Sequence, residues 1–367
     1  MSENPTPSAH RRKRSLSRRG VIAATGAVAA AGALTPVVFA ATKSDEKSTG
    51  TAAAGTEKQD FPATRTAANT GTGEATTAFA AGFVAVRWKG AADAVGIKLA
   101  DGSWKQATSG CAAVDGGGTA LVHSGGATAY ALKAEDGAND LRSLAIDATS
   151  GPARSFAVPT EPTRVRGVEY LSRPAWGADE SKRYKDGKVN SPEVYYPFQS
   201  ITVHHTDTPN GDADPAATVR AIYEYHAITL DWGDIGYHFL IDESGAVYEG
   251  RYSGDDAIPA FDTDGKLVTA FHTGGFNSGN LGIALIGDLA TQGPTDAARA
   301  SLVKLIKVIA RIKGLDTTAR MTYVNPVNNV TKDVNTISGH RDWLETDCPG
   351  QTMYNLLTEV RQETAGQ

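Results

Sequence analysis

Cysteine is scarce in this 367-residue chain, which has only Cys111 and Cys348. Two are too few for a disulfide-stapled scaffold, though they allow one metal ligand or one bridge. An excess of positive charge is also missing. With 36 basic against 41 acidic residues and a formal net charge of −5, the chain lacks the basic face that phosphate contacts demand, which argues against a nucleic-acid binder. No His-Glu-x-x-His pair occurs, so a metalloprotease base of that kind is absent. What remains is ordinary for a folded protein. The hydrophobic share of 41% and charged share of 21% argue against wholesale disorder or a multi-span membrane protein, and the length suits about two domains.

Residues 1–40 have the form of a secretory signal. A basic run, Arg11-Arg12-Lys13-Arg14 through Arg18-Arg19, precedes an uncharged stretch of Ala, Val, Gly, Ile and Leu from Gly20 to Ala41. Ser17-Arg18-Arg19-Gly20-Val21-Ile22 resembles the twin-arginine export motif, and Val38-Phe39-Ala40 offers small residues for cleavage after Ala40. The Ala- and Gly-rich character disfavours an uncleaved anchor, and no cysteine lies near the cleavage point to make a lipoprotein. The expected product is secreted, extracellular or wall-associated, and meets the membrane only during export. Without residues 1–40 the chain has 30 basic and 40 acidic residues, a net of −10. Residues 41–77 are rich in Ala, Thr, Gly, Ser and Lys with almost no large apolar side chain, and are expected to form a disordered linker.

Two folded regions follow. Across residues 78–158 short apolar runs such as Phe83–Trp88, Val95–Leu99 and Ala120–His123 are punctuated by Asp101-Gly102, Asp115-Gly116 and Asp136-Gly137, the pattern of a small all-β, sandwich-like domain. His123 and Cys111 have no partner at ligand spacing there, which favours structural roles. Residues 168–365 change to strands alternating with helices, an α/β domain with a central sheet. Asp214-Pro215 caps one helix, with Val219, Ile222, Tyr223 and His226 as its apolar stripe. A second runs from Thr295 to Gly314 with Ala298, Leu302, Leu305, Ile306, Ile309 and Ile312 on one face. Strands are expected at Ser200–His205, Tyr237–Ile241, Val247–Glu249 and Leu281–Gly287.

Five of the eight histidines fall between residues 200 and 275, and His340 lies eight positions before Cys348. Strand alternation at Ile201–Thr206 sends His204 to one face and His205, with Ile201 and Val203, to the packed one. Imidazole and thiolate are ligands that zinc prefers, and three protein ligands leave a fourth position open. The candidates are far apart in the chain, so spacing alone makes a weak case.

Taken together, the motifs are more specific. Ser172-Arg173-Pro174-Ala175-Trp176-Gly177, Val203-His204-His205-Thr206, Trp232-Gly233-Asp234-Ile235-Gly236-Tyr237-His238-Phe239, Tyr248-Glu249-Gly250-Arg251, Asn280-Leu281-Gly282-Ile283, and Gly339-His340-Arg341 with Thr346-Asp347-Cys348-Pro349-Gly350 occur in order. This series resembles the peptidoglycan recognition protein family, which is similar to zinc-dependent N-acetylmuramoyl-L-alanine amidases including phage amidases. The resemblance covers about residues 168–360 and implies a mixed central sheet flanked by helices, with a substrate groove and zinc at its base. Together with the export signal it implies a bacterial, secreted, monomeric member.

Carried over position by position, the resemblance makes His204, His340 and Cys348 the zinc ligands. Tyr237 and Thr346 become the catalytic residues, and Arg251, His272 and Asn277 contact the substrate, peptidoglycan or its muropeptides. Arg251 would pair with a stem-peptide carboxylate, while His272 and Asn277 would line the groove. The implied reaction hydrolyses the amide between the lactyl group of N-acetylmuramic acid and the first L-alanine. No residue stands out as proton donor to the leaving amine: Asp207, Glu345 and Asp347 are each nearby. His226 and His238 suit hydrogen-bonded core roles. Between Arg251 and His272, Gly254-Asp255-Asp256 and Asp262-Thr263-Asp264-Gly265 make the spacing longer than the family pattern. Two other readings compete: a peptidoglycan-binding protein without hydrolysis, which the intact five-residue set argues against, and a metal-independent protein with a Cys111–Cys348 disulfide.

Overall fold

The computed structural model describes residues 55–365 apart from 92, 108–115, 136 and 256–257. The export signal, the start of the expected linker and Cys111 therefore lie outside the described residues.

The rest of the expected linker is not a linker. Thr56–Pro62 (β1), Arg65–Thr70 (β2) and the first residues of Gly73–Lys89 (β3) are strands. Their small residues are what the packing uses. β2 alternates half-buried and exposed positions, and Ala67 and Ala75 lie against the core, so Ala and Thr give a close inner face instead of a solvated coil.

Strands β4 (Val95–Lys98), β5 (Trp104–Gln106), β6 (Gly117–Ala134) and β7 (Asn139–Asp147) complete an antiparallel sheet of order β2-β7-β3-β6-β4-β5, while β8 (Ala153–Pro159) pairs with β1. The long hairpin of β3 and β6 serves both halves. β7 pairs with the 83–89 end of β3 and β4 with the 131–134 end of β6, and register shifts near Ala81 separate the halves. Val84, Val86, Trp88, Ile97 and Leu132 form their shared core. Gly118 is required there, because a Cβ at that position would lie 2.1 Å from the Trp88 ring.

The second region is the mixed α/β domain. Ser200–His205 (β9), Phe239–Ile241 (β10), Val247–Glu249 (β11), Asn280–Leu285 (β12) and Ile337–Gly339 (β13) form a sheet of order β11-β10-β12-β9-β13. All its pairings are parallel except β10 with β11. Pro215–Glu224 (α1) starts where the Asp214 carboxylate accepts the Ala217 N–H at 3.0 Å, and continues into a wider turn at Tyr225–Thr229. Asp296–Lys313 (α2) is capped by Thr295, whose Oγ1 accepts from Ala298 N at 3.1 Å, and closes at Gly314 with φ 65°. Gln351–Thr364 (α3) buries Met353, Leu357, Val360 and Thr364 at helical spacing. Helices α2 and α3 cover one sheet face, packing Leu302, Ile306, Met353 and Leu357 on Ile201, Val203, Ile283 and Leu285. Helix α1 covers the other, setting Val219, Ile222 and Tyr223 against Leu240 and Ala284. Ile312, expected on the buried stripe of α2, is 40% exposed where the last turn runs past the core.

The two regions share a core. Phe83, Ala85, Ile146 and Ala148 of the antiparallel sheet pack on Ala217, Ala221, Tyr225 and Leu230. Tyr225 Oη and Thr119 Oγ1 are 2.6 Å apart, and Arg220 donates to the carbonyls of Ala148 at 3.0 Å and Trp176 at 3.1 Å.

Candidate metal centre

Every residue of β9 is buried, so its two faces diverge by packing alone. Ile201 and Val203 enter the core beneath α2 and α3, and His205 Nδ1, as expected on that side, accepts the Leu289 N–H at 3.1 Å. His204 turns to the α1 face. The neighbouring strand β13 runs parallel with Val203 opposite Gly339. His340, the next residue, therefore comes beside His204, with ring centroids 4.6 Å apart. The loop after His340 returns to hydrogen-bond Arg341 N to Cys348 O at 2.9 Å, which carries the Cys348 thiol to 3.6 Å from His204 Nδ1. One ligand atom from each of His204, His340 and Cys348 lies within 4.8 Å of the others, and all three residues are buried.

This cluster fits a metal ion. Both ring nitrogens of His340 are buried with no hydrogen-bond partner. Leaving such groups unsatisfied costs about 1–3 kcal/mol each, and an ion bound to the bare ring nitrogen would remove that cost there. Burial, followed by neighbouring histidines, pushes the His204 imidazole well below its usual range and His340 down to about 3. Both rings are thus neutral, the form that lends a lone pair to a metal. Two imidazoles and a thiolate are a zinc donor set with one position open.

His272 orients His204. Its Nε2 lies 2.9 Å from the Asn280 carbonyl, an acceptor only, so Nε2 carries the hydrogen and Nδ1 the lone pair. That Nδ1 is 2.9 Å from His204 Nε2 and 2.8 Å from the Thr273 hydroxyl. A bare His204 Nε2 would set two ring lone pairs against each other, so Nε2 carries the hydrogen and His204 Nδ1 is left bare towards Cys348. Sequence reasoning placed His272 on the groove wall. It is instead 3% exposed, because Gly282 beneath it leaves room for the ring: a Cβ there would lie 2.6 Å from His272 Cγ. The only sequence signal for this relay was the Asn280-Leu281-Gly282 motif. Gly282→Ala is accordingly expected to weaken metal affinity about 10- to 100-fold. Competition with a zinc chelator measures this, with circular dichroism checking that the fold persists.

The other expected site residues divide. Tyr237 comes to the cluster, buried with its ring centroid 5.3 Å from His204 and 5.4 Å from His226. Thr346 is half-buried and its Oγ1 accepts the Cys348 N–H at 3.3 Å. Arg251 does not present its guanidinium to solvent. It is 2% exposed, stacked 4.4 Å over the Phe271 ring, and Nη2 donates to Ser191 Oγ at 2.8 Å. Asn277 shapes its own loop, accepting from the backbone of His272 at 2.9 Å and Thr273 at 2.7 Å. His226 accepts the Gly236 N–H at 3.0 Å, while His238 is 2.7 Å from the Val268 carbonyl and accepts from Gly282 N at 2.9 Å. The Ser172–Gly177 motif is a brace: Trp176 Nε1 donates to Glu249 O at 2.8 Å and buried Arg173 pairs with Asp234 at 3.1 Å. Near the cluster, partial desolvation and then Asp288 and Asp347 raise the Asp207 carboxyl to about 6.

A mixed sheet carrying a two-histidine, one-cysteine cluster against a buried tyrosine defines the class as an α/β domain with a zinc-type site. The N-acetylmuramoyl-L-alanine amidase family model matches residues 194–351. A peptidoglycan recognition protein of Trichoplusia ni is 30% identical over 163 residues, covering 44% of this chain and 74% of that protein. The chain belongs to the peptidoglycan recognition protein and N-acetylmuramoyl-L-alanine amidase family. Human N-acetylmuramoyl-L-alanine amidase is 32% identical over 165 residues, 44% of this chain, and the match spans only 24% of that relative's length. A solved human structure, PGRP-IBETAC in complex with glycosamyl muramyl pentapeptide, aligns at 25% identity over 52% of this chain and 94% of its own, with a TM-score of 0.37.

Proposed function

We propose that this chain is an exported, zinc-dependent N-acetylmuramoyl-L-alanine amidase, which hydrolyses the amide between the lactyl group and the first L-alanine of peptidoglycan. The observation that carries the reading is the buried His204, His340 and Cys348 cluster, in which both His340 nitrogens lack any other partner. Held by these three residues, zinc would supply a Lewis acid able to polarise a carbonyl and bring the pKa of water towards ~7. The chain's own residues do the rest. Tyr237 lies in a buried pocket where a hydroxyl donor acts at low dielectric, and it hydrogen-bonds the oxygen on which charge develops. Thr346 fixes the loop that presents Cys348, and its own hydroxyl hydrogen remains to donate to substrate. His272 keeps His204 in the tautomer that ligation requires. Residues 1–40 direct export by the twin-arginine route, and the mature protein acts outside the membrane on the wall.

The test is a digest of purified muropeptides, read by mass spectrometry for released stem peptide with and without chelator. Release that chelator stops and zinc restores is expected. No release in the presence of zinc refutes the enzyme reading and leaves a binding protein. Tyr237→Phe is expected to lower kcat by about 10²–10³-fold, the usual loss for one oxyanion donor. Its affinity for muropeptide, measured by calorimetry, is expected to hold.

A further inference from the structure

We infer that the antiparallel sheet domain forms one wall of the substrate cleft, and that Gln106 and His123 select for the sugar side of the substrate. The inference rests on the amidase reading for its substrate class. A cavity of about 470 Å³ lies where the sheet domain meets the segment between β9 and α1. Gln106, Leu121 and His123 line it from the sheet, and Asp207, Tyr225 and Tyr237 from the other side. None of the three ligand residues lines this cavity, but Tyr237 does, and its ring stands 5.3 Å from His204, so Tyr237 is the side chain shared by the cavity and the metal cluster. The three sheet residues lie outside the 194–351 family match. This wall is an addition of this chain to the matched domain.

The wall is held in place. Gln106 ends β5 in register with Gly96 of β4, and the His123 ring is set edge-on to Phe83 at 5.3 Å, itself in the core shared by the two regions. Gln106 and His123 are nonetheless exposed, and their polar groups are available to a ligand.

Chemistry chooses between the two sides of the scissile amide. The stem-peptide side carries carboxylates. Asp207 and Asp288 already line the cavity, and Lys105, which also lines it, is engaged with Asp101 at 3.7 Å. A further carboxylate would meet like charge. A neutral acetamido sugar instead offers hydroxyl and amide groups to Gln106, His123 and Asp207, and its C–H face to Leu121 and Tyr225. The volume lies within the ~300–1,000 Å³ usual for small-molecule sites.

The experiment compares the full chain with a Gln106→Ala, His123→Ala double variant. Both receive an N-acetylglucosaminyl-N-acetylmuramoyl tetrapeptide and a lactyl tetrapeptide without sugar. The ratio of kcat/KM for the two substrates is expected to favour the sugar in the parent and to fall about tenfold in the variant, the equivalent of one or two hydrogen bonds. An unchanged ratio overturns the inference. Calorimetry with a neutral N-acetylglucosamine tetrasaccharide is independent of turnover: the parent is expected to bind it at least about tenfold more tightly than the variant. Equal binding, or none by the parent, also overturns it. If no muropeptide is cleaved but glycan binding still depends on these two residues, the amidase reading fails and the sugar site stands. Unchanged melting temperature and metal content show that the variant is folded.

Discussion

Replacing Cys348 by alanine is expected to abolish zinc retention and to reduce stem-peptide release by more than about 10³-fold, while muropeptide binding persists. The magnitude follows from the role of the ion, since several kcal/mol of charge stabilisation corresponds to a rate factor of that order. The geometry explains why this donor cannot be spared. Cys348 Sγ is 3.6 Å from His204 Nδ1 and belongs to the only group among the described residues that combines two histidines with a cysteine. Without it, two neutral imidazoles remain, and His205 cannot substitute because it lies on the opposite sheet face, accepting the Leu289 N–H. Metal content by plasma emission, activity by muropeptide digest and affinity by calorimetry test the three parts separately. The proper reference is metal-stripped parent protein, against which the variant is expected to melt within a few degrees, because the deletion removes one sulfur from a site already lacking its ion. Wild-type activity in a zinc-free variant would remove the metal from the proposal. Equal loss of muropeptide binding would show that the metal cluster and the binding groove are not separable.

How legible the site was follows from where its information resides. The caps of α1 and α2 were readable because Asp214, Thr295 and Gly314 act on backbone groups within a few positions. Strand β9 was readable from its alternation. The ligand cluster was not, since His204 and His340 meet only because β9 and β13 run parallel with Val203 opposite Gly339, and Cys348 joins them only through the loop that returns to Arg341; nothing local encodes either. There the resemblance to a known family did what spacing could not. The role of His272 escaped for a related reason: a ring on the sequence looks the same whether it lines a groove or sits on Gly282 and fixes the tautomer of its neighbour. Residues 56–77 were misjudged because their Ala and Thr were counted as solvated, whereas 56–62 pair with β8, and the strands that follow pair with β7 and β6, where small side chains pack closely. Helix α3 carried a readable Met353, Leu357, Val360 stripe that went unread.

Removing residues 55–159 is expected to leave an α/β domain that aggregates or melts at least about 10 °C lower, and not a freestanding enzyme. A spacer or wall-targeting appendage would detach harmlessly. This sheet instead covers the outer face of α1 and of the wider turn after it: Ala217, Ala221, Tyr225 and Leu230 are each under 9% exposed, buried by Phe83, Ala85, Ile146 and Ala148. Stripping that cover returns to water a Leu and a Tyr side chain whose burial is worth about 1.5–3 kcal/mol each, a large part of a total stability near 5–15 kcal/mol. Polar ties go with it. Arg220 loses the Ala148 carbonyl at 3.0 Å, Tyr225 loses Thr119, Lys182 loses Thr64 at 3.1 Å, and Asp179 loses its ion pair with Arg154. Phe61 would also leave Gly177, a position at φ 78° where the ring packs so closely that a Cβ would lie 2.7 Å from it. Single substitutions in the full chain give the graded version. Phe83→Ala is expected to cost about 3–5 kcal/mol and to lower the melting temperature by roughly 10 °C. Exposed Trp104→Ala, outside this contact, is expected to stay within about 0.5 kcal/mol. Calorimetric melts of the full chain, the two single variants and the isolated 160–367 segment decide the matter: if that segment is monomeric and melts within about 2 °C of the full chain, the shared core contributes nothing and the sheet domain is an attachment.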